Sequence, residues 1–524
     1  MKKVFLFSLL SIFAFVSPIF AQANPPTLEL APAFSEHMVL QQQMPVPVWG
    51  WGTPGKKVLI KIQGKSVKTT VQKDGIWHAT LPPLKAGGSF EFSVREGNNQ
   101  IVFQDVLVGE VWICCGQSNM DMGWGGIPEI KKLAQAANQE NRPIRAYQVP
   151  KMISFKEERR CRGSWQKGVP SSAVAAVFAM RLQETEKVPV GIIQAAWGSS
   201  FLEGWMPDNL AKQLPHYNEL LQKLQKEDRP ILEEMIQIAE TNKSHRIEKY
   251  SENPTIEAER KKTFYKGYGA NVFARTRPNM LYNAMLHPFI PVACRGMVYY
   301  QGEANTKSYE DMLRYAKTQR AWLNELRKRW NRPDLYFISV MLPGFGKILP
   351  SSPHKGDLEA PDTHSWAIMR DQQLQILSLP HTAVACTIDL GEADNIHPKD
   401  KIPVGERIAQ IARHETLGKK NLPAYGPMFQ KAQFKDGRVE ILFQHAKGLH
   451  TTDGEAPKAF WLSENGKEWI PATAEIQDEK VILRAPKGFQ PKIVRYAYAA
   501  KPSVNLVNEA DLPAYPFQAS KQQK

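Results

Sequence analysis

Cysteine is scarce in this chain, with five in 524 residues. Cys114 and Cys115 are adjacent, and Cys161, Cys294 and Cys386 stand alone, so no CxxC pair exists. A disulfide-built scaffold and a structural zinc site of the usual spacing are therefore excluded. H-E-x-x-H is missing, and no cluster of His and carboxylates shows ligand spacing, which disfavours a metallohydrolase and implies no metal. Past residue 23 no stretch reaches the ~20 apolar residues of a membrane span. Internal repeats and low-complexity tracts are lacking. No basic run is interleaved with aromatics, so the formal charge of +15 does not point to nucleic acid. It fits an anionic substrate or simply a solvated basic face. What remains is ordinary globular composition, 43% hydrophobic and 23% charged, which excludes disorder, collagen and coiled coil as the main architecture. At roughly 100–200 residues per domain, the length suggests two to four domains.

The N-terminus reads as a targeting segment. Met1-Lys2-Lys3 is positive, Val4 to Phe20 is nearly all apolar, and Ala21-Gln22-Ala23 has the small-x-small pattern of a cleavage site. The run is short for a membrane anchor, so residues 1–23 are expected to be a secretory signal. No cysteine lies near the cleavage point, which argues against a lipoprotein. The expectation is a bacterial protein, periplasmic or secreted, with no membrane span once the signal is removed.

Residues 24–105 read as a small β-sandwich. Val58–Gln63, Ser66–Val71 and Phe90–Val94 are short β-branched or aromatic runs separated by turn signals such as Thr53-Pro54-Gly55 and Asp74-Gly75. From 106 to 420 apolar runs alternate with helical periodicity. Val106–Cys114, Val190–Ala195, Met297–Tyr300, Leu335–Leu342 and Ala383–Leu390 are the expected strands. Helices are expected over 308–330, where Met312, Ala316, Leu323, Leu326 and Trp330 share a face, and over 364–378 and 404–415. This alternation predicts an α/β domain with a parallel sheet covered on both faces. Residues 206–265, dense in Lys, Glu and Gln, read as a helical insertion. The β pattern returns over 421–524, with Asp436-Gly437 as one of its breaks.

Two features can carry chemistry. Val111-Trp112-Ile113-Cys114-Cys115-Gly116-Gln117-Ser118-Asn119-Met120 ends an expected strand with a serine just beyond it. In a parallel sheet ligands bind beyond the carboxyl ends of the strands, where Ser118 can offer its hydroxyl to the crevice and its N–H to an oxyanion. A turn serine bonded to nearby backbone explains the local pattern at least as well. The second feature is Asp394-Asn395-Ile396-His397-Pro398, after the last strong strand. An Asp and a His so close on one loop can hydrogen-bond, fixing the imidazole tautomer and letting His act as a base toward serine. Alone this pattern is weak, since the chain has 12 histidines. Together with an early strand-end serine it makes a plausible triad.

Further blocks extend the pattern: Gly109-Glu110-Val111-Trp112, Ala196-Trp197-Gly198, Leu281-Tyr282-Asn283-Ala284-Met285-Leu286-His287-Pro288, Tyr299-Tyr300-Gln301-Gly302-Glu303-Ala304-Asn305, Val404-Gly405-Glu406-Arg407, Val494 to Tyr498 and Asn505 to Asn508. With these the chain resembles the sialate O-acetylesterases of the wider SGNH/GDSL hydrolase group. The resemblance implies a three-layer SGNH-hydrolase-like parallel sheet, flanked by N- and C-terminal β-rich domains. It implies Ser118 as nucleophile, His397 as general base and then acid, and Asp394 as orienting acid. The backbone N–H groups of Ser118 and Gly198 would be oxyanion donors. The wider group adds an asparagine from a G-x-N-D block, which this chain lacks; the Gln301 amide is the candidate replacement and Asn305 a poorer one. Glu303 is expected to orient neighbours. Ala196-Trp197-Gly198-Ser199-Ser200 carries one glycine where related sequences often have two. Cys115 stands where serine is often found, and its place in the strand end favours an inert, buried thiol.

The expected reaction is ester hydrolysis that removes O-acetyl groups from an acetylated glycan or free acetylated sugar, without metal or organic cofactor. O-acetylated sialic acid is the leading substrate, with Arg275 or Arg277 available for its carboxylate. Acetylated xylan or pectin is the alternative, and a non-catalytic glycan-binding protein is a third reading.

Overall fold

The computed structural model describes residues 28–234, 269–354, 356–435 and 437–521. The expected signal segment, residues 235–265 of the expected insertion and Asp436 lie outside them.

Short strands, antiparallel except for Val39–Gln41, make up the first unit. Lys57–Ile62 pairs with Lys65–Thr70 and Gly87–Glu96. Val58, Ile60 and Ile62 point inward while Lys57 and Lys61 are exposed, the period of a half-buried strand. Strand β1 (Asn99–Gly116) then crosses from this unit into the next. Its first residues are exposed alternately and pair with Gly87–Glu96; from Val106 onward every residue is buried. The expected boundary near residue 105 is thus a change of environment inside one strand rather than a linker.

After β1 come α1 (Ser118–Asp121), α2 (Pro128–Gln139), β2 (Ile144–Gln148), β3 (Trp165–Lys167), α3 (Ala173–Glu186) and β4 (Val190–Ala196). They are followed by β5 (Gly296–Tyr300), α4 (Tyr309–Trp330), β6 (Tyr336–Val340), α5 (Trp366–Leu374), β7 (Thr382–Ala385) and α6 (Ile402–Thr416). The strands lie in the order β3-β2-β4-β1-β5-β6-β7. All neighbours run parallel except β3, which is antiparallel to β2. On one face Trp112 of β1 meets Phe178 of α3 edge-on at 5.4 Å. On the other, Trp322 of α4 packs on Tyr299 of β5 at 4.7 Å and on Phe337 of β6 at 5.9 Å. Helices on both faces explain why the central strands are continuous apolar runs. Gly405 lets α6 lie directly against α3, since a Cβ there would stand 2.5 Å from Val177 Cβ.

Helix α4 agrees with its expected range to one residue. Its predicted face is buried, and Ser308 Oγ caps it by accepting from Asp311 N at 3.1 Å. Strand β7 is shorter than Ala383–Leu390. Beyond Ala385 the chain stays buried but leaves the sheet, with Thr387 Oγ1 donating to Met341 O at 2.5 Å. The alternation expects helices between the first two strands without giving their ranges, and α2 and α3 fill that interval. Helix α3 reads Ala-Val-Ala-Ala-Val-Phe-Ala-Met and is buried on nearly every side, so it lacks the amphipathic period. Of the insertion, the described part holds a helix over Pro215–Lys223, with Leu224 buried and Leu220 exposed.

The last unit contains two four-stranded antiparallel sheets, one opened by the hairpin Met428–Lys435 and Arg438–Gln444. It is tied to the central domain by Tyr515, whose hydroxyl donates to Val384 O of β7 at 2.7 Å, and by Arg370 of α5, which donates to Ala499 O. The whole is a mixed α/β protein. Among the described residues no helix is long and apolar enough to cross a membrane.

Candidate active site

Strand order turns at β1, with β2 and β4 on one side and β5, β6 and β7 on the other. Such a switch point leaves a crevice beyond the carboxyl ends of the strands. The backbone there is held tightly. Trp197 N donates to Gly116 O, and Gln117 N donates to Tyr300 O, both at 3.1 Å. Gly116 takes φ +144°, and a Cβ on it would stand 2.1 Å from Tyr300 O, so no side chain fits. The chain then breaks from the sheet into α1, and Ser118 opens that turn, partly exposed. Its hydroxyl has no hydrogen-bond partner among the described residues.

The loop after β4 comes up beside it. A Cβ built on Gly198 would lie 3.3 Å from Ser118 Cβ. Ser199, at the position next to that single glycine, takes a left-handed φ of +63°. Gly198 N–H is directed at Asp121 Oδ2 at 3.3 Å, and Lys151 Nζ donates to the same oxygen at 2.7 Å.

Asn119, fully buried, binds three elements together. Its Nδ2 donates to Glu303 Oε1 at 2.5 Å and to Ile396 O at 3.0 Å, and its Oδ1 accepts from Lys401 Nζ at 2.7 Å. His397 follows Ile396 directly. It is half-buried, and its backbone N–H donates to Asn395 Oδ1 at 3.0 Å. Burial, aided by the Lys401 ammonium, holds its imidazole below the ordinary histidine value. Asp394 is exposed, and no hydrogen bond or ion pair joins it to His397 among the described residues.

Gln301 is buried just past β5 with its amide fully engaged. Nε2 reaches Asn305 Oδ1 at 2.8 Å, Gln117 Oε1 at 3.1 Å and Ser200 O at 3.2 Å, while Oε1 accepts from Tyr315 OH at 2.8 Å. Asn305 accepts from Leu202 N at 3.1 Å and donates to Glu203 Oε2 at 2.9 Å. Glu303 accepts from Asn119, and burial pushes its carboxyl up. Arg275 is buried with its guanidinium 6.0 Å from the centre of the Trp197 ring, beside Gly198. Arg277 is turned elsewhere: it pairs with Asp228 Oδ2 at 2.8 Å and lies over Phe273. Cys115 is fully buried, and burial pushes its thiol well above the ordinary range. Among the described residues no group of three or more His, Cys, Asp or Glu gathers to hold a metal.

Sequence reasoning passed over Lys401, Asp121 and Lys151. Only the His397-Pro398-x-x-Lys401 spacing, which brings the lysine to the start of α6, carried a signal for the first.

The signature of the family described as "Carbohydrate esterase, sialic acid-specific acetylesterase" matches residues 108–253 and 267–413. The sialate O-acetylesterase of Mus musculus is 26% identical over 475 residues, covering 83% of this chain and 82% of its own. That of Homo sapiens is 24% identical over 501 residues, covering 88% and 85%. A crystal structure of a carbohydrate acetylesterase from Xanthomonas citri superimposes with a TM-score of 0.75 at 28% identity, covering 95% of this chain and all of that one.

Proposed function

The chain belongs to the carbohydrate esterase family of sialic acid-specific acetylesterases, and on that premise we propose that it removes O-acetyl groups from sugars by a Ser118–His397–Asp394 acyl-enzyme mechanism. The proposed frame is a three-layer SGNH-type α/β domain braced by the two β-rich units, acting outside the cytoplasm of a bacterium. O-acetylated sialic acid is the proposed substrate, and Arg275, beside Trp197, is the proposed contact for its carboxylate.

In this mechanism His397, neutral at rest, takes the Ser118 proton as Oγ attacks the acetyl carbonyl. The C–O bond forms and the carbonyl electrons move to oxygen. The oxyanion is met by the N–H groups of Ser118 and Gly198, the latter exchanging its long contact with Asp121 for the stronger acceptor. One such donor is worth about 3–4 kcal/mol of barrier. Gln301 is the proposed third donor; to serve, its amide must release one of its three present acceptors. Asn305 holds Gln301 and is the poorer donor. His397 then protonates the departing sugar oxygen. Water, deprotonated by the same imidazole, attacks the acetyl-enzyme and releases acetate. Asp394 is assigned the support of the imidazolium, which requires its exposed carboxylate to swing onto the ring.

The observation that carries this reading is the 3.0 Å hydrogen bond from Asn119 to Ile396 O, between the immediate neighbours of Ser118 and His397. Acetate release from O-acetylated sialic acid and from acetylated xylan, with Ser118→Ala as control, is the test. Full activity of the Ser118→Ala protein rejects the mechanism. Faster release from xylan moves the substrate to plant polysaccharide, and binding without release leaves a glycan-binding protein.

A further inference from the structure

A lysine at the start of a helix, fully buried, is an expensive arrangement. Lys401 precedes the first residue of α6, where the helix dipole already presents positive charge, and it has no exposed surface. Its Nζ donates to Asn119 Oδ1 at 2.7 Å and lies 5.7 Å from the centre of the Tyr300 ring. The compensating charge is Glu303, reached through the same amide, whose Nδ2 donates to Glu303 Oε1 at 2.5 Å. The second Asn119 hydrogen goes to Ile396 O at 3.0 Å. Every polar atom of the Asn119 side chain is thus committed, and its orientation is dictated from two sides. Lys401 can only donate, so it selects the carbonyl oxygen of Asn119; Glu303 as a carboxylate can only accept, so it selects the nitrogen.

We propose that Lys401 is a positioning residue for ester hydrolysis: acting through Asn119, it locks the Ile396–His397 backbone onto the turn that carries Ser118 and keeps positive charge beside the imidazole. This rests on the reading of Ser118 and His397 as nucleophile and base. Lys401 touches neither the substrate nor the reacting atoms. Two consequences follow. Without its donor the Asn119 amide can flip or drop its bond to Ile396 O, and His397 drifts from Ser118. Without its charge the imidazole protonates more easily, and less of the enzyme holds a free base at acid pH.

The other charged groups of this corner are Glu392, Asp394, Lys399 and Asp400 on the segment of His397, Asp121 and Lys151 beside Gly198, Glu303 after β5, and Lys347 on the loop whose Gly346 N donates to Ala393 O at 2.8 Å. Of all these, Lys401 is the charge that adds to burial in holding the imidazole below its ordinary value. Burial in turn draws the Lys401 ammonium down to about 8, which leaves it mostly charged at neutral pH.

Two variants separate the hydrogen bond from the charge. Lys401→Met removes both, whereas Lys401→Gln removes the charge and keeps an N–H for Asn119. The pH profile of kcat/KM on p-nitrophenyl acetate is measured for each, with wild type and Ser118→Ala alongside. Both variants are expected to move the acid limb to higher pH. At the plateau Lys401→Met is expected to lose about ten- to a hundredfold in kcat, the scale of a misplacement near 1 Å, and Lys401→Gln clearly less. An acid limb that stays at its wild-type position in both variants overturns the inference, whatever happens to kcat. Equal plateau losses in the two variants also overturn it. If neither variant folds, Asn119→Ala decides, since it keeps the Lys401 charge and removes the relay: a plateau loss of about tenfold or more supports the inference, and an unchanged kcat overturns it. Activity remaining in Ser118→Ala would instead bring down the reading beneath it.

Discussion

Arg295 closes on Glu110 with two hydrogen bonds, Nη2 to Oε1 at 2.7 Å and Nε to Oε2 at 2.8 Å, on a carboxylate with no solvent exposure. Gln42 Nε2 adds a third at 2.8 Å, and Gln41 Oε1 accepts from the next residue, Val111 N, at 2.8 Å. The pair sits where the first β unit, β1 and the approach to β5 meet. It explains the acidic residue of the Gly109-Glu110-Val111-Trp112 block as a joint between domains.

Breaking that joint leaves a partly buried guanidinium without its counter-charge and strands the glutamine donors that the carboxylate held. Glu110→Ala is expected to cost about 3–5 kcal/mol of stability. Urea unfolding checks it; a loss below about 1 kcal/mol would mean that the pair is not holding the units together.

Gly116 has no room for a methyl group, and its backbone lies where side chains are rarely tolerated. Gly116→Ala is expected to move Ser118 and abolish acetate release, and to destabilise the protein by at least about 1–3 kcal/mol. A variant of normal activity and melting temperature would show that the turn is more pliant than its contacts imply.

The depressed imidazole of His397 has a definite sign. As a base it is active when neutral, so the acid limb of kcat/KM is expected below the ordinary value of about 6.5. The unfolded chain takes up this proton more readily than the folded one. The stability contributed by the group is therefore complete above about pH 6.5 and drains as pH falls through that value toward the lower folded pKa. An acid limb above 6.5 contradicts the assignment of His397 as a half-buried base.

Asp394 and Gln301 are each tested by removal. Asp394→Ala is expected to reduce kcat by about a hundredfold or more, within the usual span of acid–base support. A loss under threefold leaves a Ser–His pair acting without it. Gln301→Ala is expected to reduce kcat by about 10²–10³-fold with little change in KM, the mark of a donor used in the transition state. A change confined to KM or to melting temperature would assign Gln301 to structure alone.

Much of the frame was legible in the chain itself. The strands of the central sheet are buried on both faces and read as apolar runs, and α4 repeats its apolar residues at helical spacing. Both patterns are local, so the sequence carries them openly. The order of strands is not local, nor is the end of β7. Cys386, Thr387 and Ile388 are as buried as strand residues but lie outside the sheet.

The sequence by itself determined the ingredients of the site: a serine at a strand end, a D-x-x-H segment, and a glutamine after another strand. Tertiary structure alone decided which of their neighbours meet. Nothing along the chain says that Lys401 would reach Asn119, that Arg277 would be taken by Asp228 while Arg275 stays beside Trp197, or that the amide of Gln301 would be spent on three acceptors. Side-chain chemistry is written residue by residue, but a hydrogen bond between positions nearly 300 apart exists only once the sheet has brought its strand ends together. Burial then shifts the charge of whatever it encloses.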